Sequence, residues 1–179
     1  MNTHRRSVFF FVLLIVVLAA ILSVLVIQAQ EAESTPDDRE EMLRDSALRV
    51  VDDVFISGDF SLLDNYLAED YVVHSPFGDL DREATKAFLG GLRSALTDFE
   101  MVRDPVVVEG DLVATYNVLS GVFSNEYPSP WGVLEPNNEP VTWIFIAIFR
   151  YNDEGLIVEE WVQADTLGLL TQLGAAPTS

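Results

Sequence analysis

The sequence predicts an α+β domain behind one membrane-inserting segment. Three observations predict it: apolar residues recur at helical spacing up to about residue 96, alternation of period two replaces that spacing from about residue 99, and residues 8–27 carry no charge at all. Helices first and consecutive strands afterwards fit helices gathered on one face of an antiparallel sheet. A length of 179 residues suits one such domain plus a short extra segment.

The extra segment comes first. Val8 to Ile27 is apolar apart from the hydroxyl of Ser23. Twenty helical residues span roughly 30 Å, the hydrocarbon thickness of a bilayer. Arg5 and Arg6 precede it and hold that side in the cytoplasm, so the domain emerges on the far side. Cleaved signal peptides carry an apolar stretch of roughly 7–15 residues, so the longer run here fits a signal anchor. Ile27-Gln28-Ala29 keeps cleavage open, and with it a secreted or periplasmic domain. The predicted organisation is a leader over 1–29, a polar linker over 30–36, the domain over 37–175 and a tail over 176–179. The chain has no cysteine, which rules out a lipid-modified cysteine anchor and disulfides.

Charge restricts the partners. All 29 acidic residues follow residue 30, against eight of the ten basic ones, which gives the exported part a net charge of −21. Nucleic acid, which needs a basic surface, is excluded as a partner. Contact with a membrane is expected through the N-terminal segment only.

Pro36 and the acids Asp37 and Asp38 open a helix in which Leu43, Ala47, Val50, Val51, Val54 and Phe55 share a face, with Gly58 as its stop. A short helix is expected over Phe60–Leu67, a brief strand over Tyr71–His74, and a helix capped by Asp81 that runs to about Leu96. Strands are expected over Phe99–Val108, Leu112–Phe123, Val141–Tyr151 and Leu156–Ala164, with turns at Glu109-Gly110-Asp111 and Asn152–Gly155. Ser124–Pro140, with four prolines, reads as a long loop. Thr166–Leu173 reads as one or two helical turns. The strand Thr142–Tyr151 is apolar on both parities, so its second face must line a pocket or a dimer contact.

No nucleophile elbow, phosphate loop or zinc spacing is present. Of the two histidines, His4 precedes the membrane segment, so no multi-histidine metal site is expected in the domain. The chemistry then falls to His74 and the carboxylates. Glu159, Trp161, Gln163 and Asp165 share one strand parity. An acid beside a tryptophan on an apolar sheet loses hydration, which raises its pKa toward that of a neutral-pH acid or base. The other reading of Asp165 is a cap on the helix beginning at Thr166. His74 either faces the pocket or bonds to the loop at Ser75-Pro76. Tyr71, Trp143 and Trp161 are core or pocket wall.

Several segments resemble one family. Asp70-Tyr71-Val72-Val73-His74-Ser75-Pro76 resembles its D-Y-V-x-H-x-P element, and Val107 to Ala114 resembles its V-x-E-G-D-x-V-A hairpin. Ile148-Phe149-Arg150, Ile157 to Trp161, Asp165, Leu167 to Leu170 and Gln172-Leu173-Gly174 resemble its closing run. This is the SnoaL-like polyketide cyclase, or ester cyclase-like, family of the nuclear-transport-factor-two-like superfamily. The resemblance implies a cone-shaped α+β barrel: a curved antiparallel sheet, wrapped by N-terminal helices, around a central pocket, often in a homodimer. It implies a cyclase or isomerase that works on a hydrophobic, polyketide-like carbonyl compound without cofactor or metal. Asp165 would be the acid/base and His74 its assistant, with Trp161, Trp143, Tyr71, Phe123, Tyr116 and Gln163 around the substrate. The sequence also departs from the family. Tyr116 stands where many relatives carry arginine, Phe123 replaces a pocket histidine, and Ser124–Pro140 is longer and richer in proline than the usual turn. The alternative is a non-catalytic, extracytoplasmic domain that binds a small ligand or dimerises.

Overall fold

Helix α1 (Pro36–Val50) follows the predicted spacing, with Leu43, Ala47 and Val50 buried. It continues as a π-helical turn (Val51–Ile56) that buries Val51, Val54 and Phe55. The chain then reverses at Gly58, whose φ of +79° suits a residue without Cβ. A 3-10 segment (Phe60–Asn65) follows, capped by Asp59. Its Phe60 ring meets Phe55 edge to face at 5.5 Å. Helix α2 (Arg82–Ala95) begins at Asp81, whose carboxylate accepts from the Ala84 N–H at 2.8 Å. Helix α3 (Thr166–Gln172) comes last. The structure, a computed structural model, describes residues 36–129 and 132–175, and the unit that carries the core begins at Glu40. The membrane segment expected at 8–27 and the tail at 176–179 lie outside the described residues. Among the described residues, no helix is long and apolar enough to cross a membrane.

The strands are β1 (Leu67–Ser75), β2 (Gly78–Asp81), β3 (Leu96–Glu109), β4 (Leu112–Phe123), β5 (Tyr127–Ser129), β6 (Gly132–Leu134), β7 (Pro140–Tyr151) and β8 (Ile157–Ala164). Six of them form one sheet in the order β2-β1-β8-β7-β4-β3. The sheet is mixed rather than antiparallel throughout, because β1 and β8 pair in parallel. Local alternation specifies a strand and its faces, but it does not specify the direction of the neighbour. Strand β2 was not expected; it pairs with β1 through the tight turn at Ser75–Gly78. The proline-rich segment read as a loop folds partly into the β5–β6 hairpin. Tyr127 of that hairpin is 1% exposed and packs at 3.3 Å from where a Cβ would stand on Gly91 of α2, so a larger residue there would push the tyrosine ring by a few tenths of an ångström.

Strand β7 alternates strictly. Val141, Trp143, Phe145, Ala147, Phe149 and Tyr151 point inward, while Thr142, Ile144, Ile146, Ile148 and Arg150 point out. Register shifts interrupt the ladders in β3 after Thr97 and after Arg103, and between β7 and β8 at Arg150/Tyr151. Such bulges bend a strand and tighten its twist. The curved sheet turns its concave side to the helices, and the core and a cavity lie between them.

Candidate active site

The cavity has a volume of about 80 Å³ and opens to the surface. Its wall is mostly hydrocarbon and aromatic: Phe55, Leu63, Phe88, Phe145, Phe149 and Val162 are examples. Pro76, an exposed residue, also lines it, so this end reaches the surface. Among the described lining residues, Glu160 is the sole carboxylate and Arg103 the sole cation.

Glu160 enters from β8, opposite Phe149 of β7 and beside Val73 of β1. Glu160 is half-buried and lines the cavity. Tyr71 of β1, 2% exposed, donates its phenolic hydrogen to Glu160 Oε2. Removal from water pushes the Glu160 carboxyl above the ordinary glutamate range, and the Tyr71 hydrogen bond and the Arg103 charge offset part of that rise. The Tyr71 phenol is itself pushed up, first by burial and then by the Glu160 charge, so it remains a donor at any working pH.

Arg103 reaches the cavity from β3. Its Nε donates to Asn117 Oδ1 at 2.7 Å and its Nη1 to the Ala47 carbonyl at 2.5 Å. The guanidinium lies 5.3 Å from the Phe149 ring centroid. Burial lowers its pKa to about 10, which leaves it charged at neutral pH. Asn117 is fully buried and held in turn by Thr115 Oγ1 at 2.9 Å. One permanent cation and one protonatable acid therefore share an otherwise apolar chamber.

The predicted site residues separate into groups. Tyr71 and Trp143 line the cavity. Trp161, Gln163 and Glu159 share a face, as their spacing predicts, but it is the outer face of the sheet. The reason is the bulge at the start of β8. Ile157 points inward, and the register shift lets Glu160 point inward as well, so strict alternation from Ile157 selects the wrong glutamate. Asp165 is exposed and caps α3, accepting from the Gly168 N–H at 2.8 Å. A Cβ on Gly168 would stand 2.2 Å from the Asp165 carboxylate, so glycine is what lets this cap close. Phe123 is fully buried at the far end of β4, opposite Leu96, away from the cavity lining. Tyr116 is 37% exposed on the outer face, opposite Ile146.

His74 also lies outside the cavity lining, on the sheet's outer face. Its Nδ1 meets Asp79 at 2.9 Å and its Nε2 meets Glu159 at 3.1 Å. Asp79 first and Glu159 second raise its pKa above the usual histidine value. Arg150 bonds the other oxygen of Glu159 at 2.7 Å and covers the Trp161 ring at 4.9 Å, while His74 stacks on Trp161 at 5.9 Å. This is a surface ion network. Asp165→Ala is accordingly expected to lower stability by about 1 kcal/mol, the cost of a lost helix cap, with turnover unchanged. Denaturant midpoints and rates on the same preparation check both halves; a collapse in turnover would return Asp165 to the site.

The model of SnoaL-like polyketide cyclases matches residues 45–173. The chain belongs to the SnoaL-like polyketide cyclase family. Solved structures agree with that membership in the nuclear-transport-factor-two-like superfamily. IdmH of Streptomyces antibioticus, described as a candidate polyketide cyclase, is 28% identical and superposes with a TM-score of 0.59, over 74% of this chain and 98% of its own. TsrD of Streptomyces laurentii is 27% identical, with a TM-score of 0.60, over 74% and 97%. AclR of Streptomyces galilaeus, described as a candidate hydroxylase, has a TM-score of 0.66 at 21% identity over 78% and 89%, which speaks for the fold alone. No curated protein matches this SnoaL-like chain.

Proposed function

We propose that this SnoaL-like protein is an acid/base enzyme of the cyclase type, acting without cofactor on a hydrophobic carbonyl compound, with Glu160 as its proton-transfer group. One observation carries the reading: a carboxyl of raised pKa faces an apolar cavity and is fixed by the Tyr71 hydrogen bond. Burial lets such a carboxyl hold its proton to higher pH than a free glutamate does, which is the direction that general acid/base catalysis requires. As carboxylate, Glu160 removes a proton alpha to the substrate carbonyl. As acid, it protonates the alkoxide formed on ring closure. Tyr71 orients the carboxyl, and Arg103 steadies negative charge in the chamber. The role that the family resemblance implies for Asp165 passes in this reading to Glu160, which β8 points inward. To test it, the ligand that copurifies with the full chain is identified by mass spectrometry and returned to fresh protein. Conversion to a cyclised or isomerised product supports the enzyme; quantitative recovery of unchanged ligand reduces the domain to a binding module.

We also assign the outward face of β4 and β7 to a second copy of the chain. Ile144, Ile146 and Ile148 are exposed there beside Tyr116, and no outward position of either strand carries an acid although the chain has 29. Exposed apolar faces of this kind mark contact sites, and a patch free of like charge can meet its own copy. Sedimentation should give a dimer that Ile146→Glu converts to monomer; a monomeric wild type sinks the assignment.

A further inference from the structure

We infer that Thr85 is a positioning residue of this site: its hydroxyl donates to the Tyr71 oxygen and so fixes the phenol that holds Glu160. The catalytic consequence rests on the reading of Glu160 as the proton-transfer group; the bond between the two hydroxyls does not.

Thr85 is the fourth residue of α2, and its neighbours are pinned on both sides. Ala84 gives its N–H to the Asp81 carboxylate at 2.8 Å, and Lys86 meets Asp64 of the 3-10 segment at 2.7 Å. The Thr85 side chain is 5% exposed and, like Tyr71, lines the cavity. A threonine in a helix can bond the carbonyl one turn back. Thr85 does not: its Oγ1 is shut off from solvent and has no formed hydrogen bond among the described residues. Buried hydroxyls are ordinarily paired, so this donor needs an acceptor close by.

Tyr71 supplies it. Helix α2 packs on β1, and the Thr85 hydroxyl acts on the Tyr71 phenol. Burial first and Glu160 second raise the phenol's pKa, and Thr85 draws it down. Lowering is the effect of a donor, since a hydrogen given to the oxygen favours the phenolate. Tyr71 has one hydrogen and gives it to Glu160 Oε2, so toward Thr85 its oxygen can only accept. The contact as it stands falls short of hydrogen-bond geometry, and a small approach of the two side chains closes it. The chain then runs from α2 through Tyr71 to Glu160. A donor on the phenol oxygen polarises its O–H and strengthens the bond to the carboxylate. Thr85 thereby favours ionised Glu160 and ties the carboxyl to a helix as well as to a strand. Arg103 of β3 and Tyr151 of β7 also act on Glu160, and both are retained in the Thr85 variants.

The test is a carboxyl titration of Glu160 by NMR in the full chain, with isotope-labelled glutamate and the resonance assigned by its loss in Glu160→Gln. Thr85→Val keeps the shape and removes the donor, and it should move the Glu160 midpoint upward by about 0.3 on the pH scale, a fraction of one charge-assisted bond. Thr85→Ser keeps the hydroxyl and should titrate like wild type. A role in packing alone would reverse that order, because serine loses the methyl group and valine does not. In a Tyr71→Phe background, Thr85→Val should leave the midpoint where it is. A midpoint equal in wild type and Thr85→Val, or moved as much without Tyr71 as with it, overturns the proposal. Should Thr85→Val fail to fold, Thr85→Ala carries the same prediction. No substrate enters the titration, so the two readings fail separately. If the midpoint moves as stated while wild type turns nothing over, the enzyme reading falls and the chain of hydroxyls stands. If turnover depends on Glu160 but Thr85→Val titrates like wild type, Thr85 alone is lost from the site.

Discussion

Replacing Glu160 by Gln is expected to cut turnover by about 10²–10⁴-fold, the usual contribution of a positioned acid or base, in a protein that stays folded. Glutamine keeps the shape and can still accept from the Tyr71 hydroxyl, so the cavity wall is retained. What disappears is the exchangeable proton. The same variant has a signature in stability that does not require the substrate. The folded-state pKa of Glu160 is raised above its ordinary 4.5. A group with a raised folded pKa holds its proton longer in the native state than in the unfolded one. Its contribution is therefore fully present below pH 4.5 and is lost as pH rises through the folded value. Wild type should lose stability relative to Glu160→Gln as pH climbs above 4.5. His74 is raised too, so it acts with the same sign from its ordinary 6.5 upward, but both proteins contain it and it cancels in the comparison. Urea unfolding of the two proteins across pH checks this. A difference independent of pH would mean that Glu160 titrates as an ordinary surface glutamate, and the proposed acid would be lost with it.

Arg103→Met should be the most destabilising of these substitutions. It removes the donors that satisfy Asn117 Oδ1 and the Ala47 carbonyl, both inside the protein, and it withdraws the cation that offsets the burial of Glu160. Loss of one side of a buried charged network costs about 3–5 kcal/mol, a large part of the roughly 5–15 kcal/mol that holds a domain together. Methionine fills much of the stem volume, so the loss reflects polar partners more than a void. With Arg103 gone, the Glu160 carboxyl should rise further, and the pH dependence of stability should steepen in the direction already given. Arg103→Lys retains charge without the planar fork and should fall between. Denaturant midpoints for the three proteins order the series. A loss below about 1 kcal/mol for Arg103→Met would show that the Asn117–Ala47 network is not structural.

Much of this fold is written locally. Asp81 and its helix, the stop at Gly58, and the strict alternation of β7 are visible because each depends on residues a few positions apart. The parallel pairing of β1 with β8 depends on partners far apart in sequence, and no local signal announces it. The site was legible in part. Tyr71 and Trp143 stand on the cavity wall, whereas Asp165 caps a helix and His74 belongs to a surface network. Glu160 was missed because a single bulge near Val158 changes which glutamate of the Glu159–Glu160 pair points inward. Neither proline nor glycine marks that bulge in the sequence. The buried tyrosine was the available clue: Tyr71 needs an acceptor for its hydroxyl, and the choice lay between two adjacent carboxylates.

The place of β8 in the sheet also fixes an order of assembly. It lies between β1 and β7, yet among the described residues it is the last strand to be made. During synthesis, β1 and β7 leave the ribosome before the strand that must join them. Tyr71 then waits 89 residues for the carboxylate that accepts its hydrogen. The nascent domain can form its helices and the long β3–β4 hairpin early, since those contacts are close in sequence. The Glu160 carboxylate can meet Tyr71 only after β8 has been made.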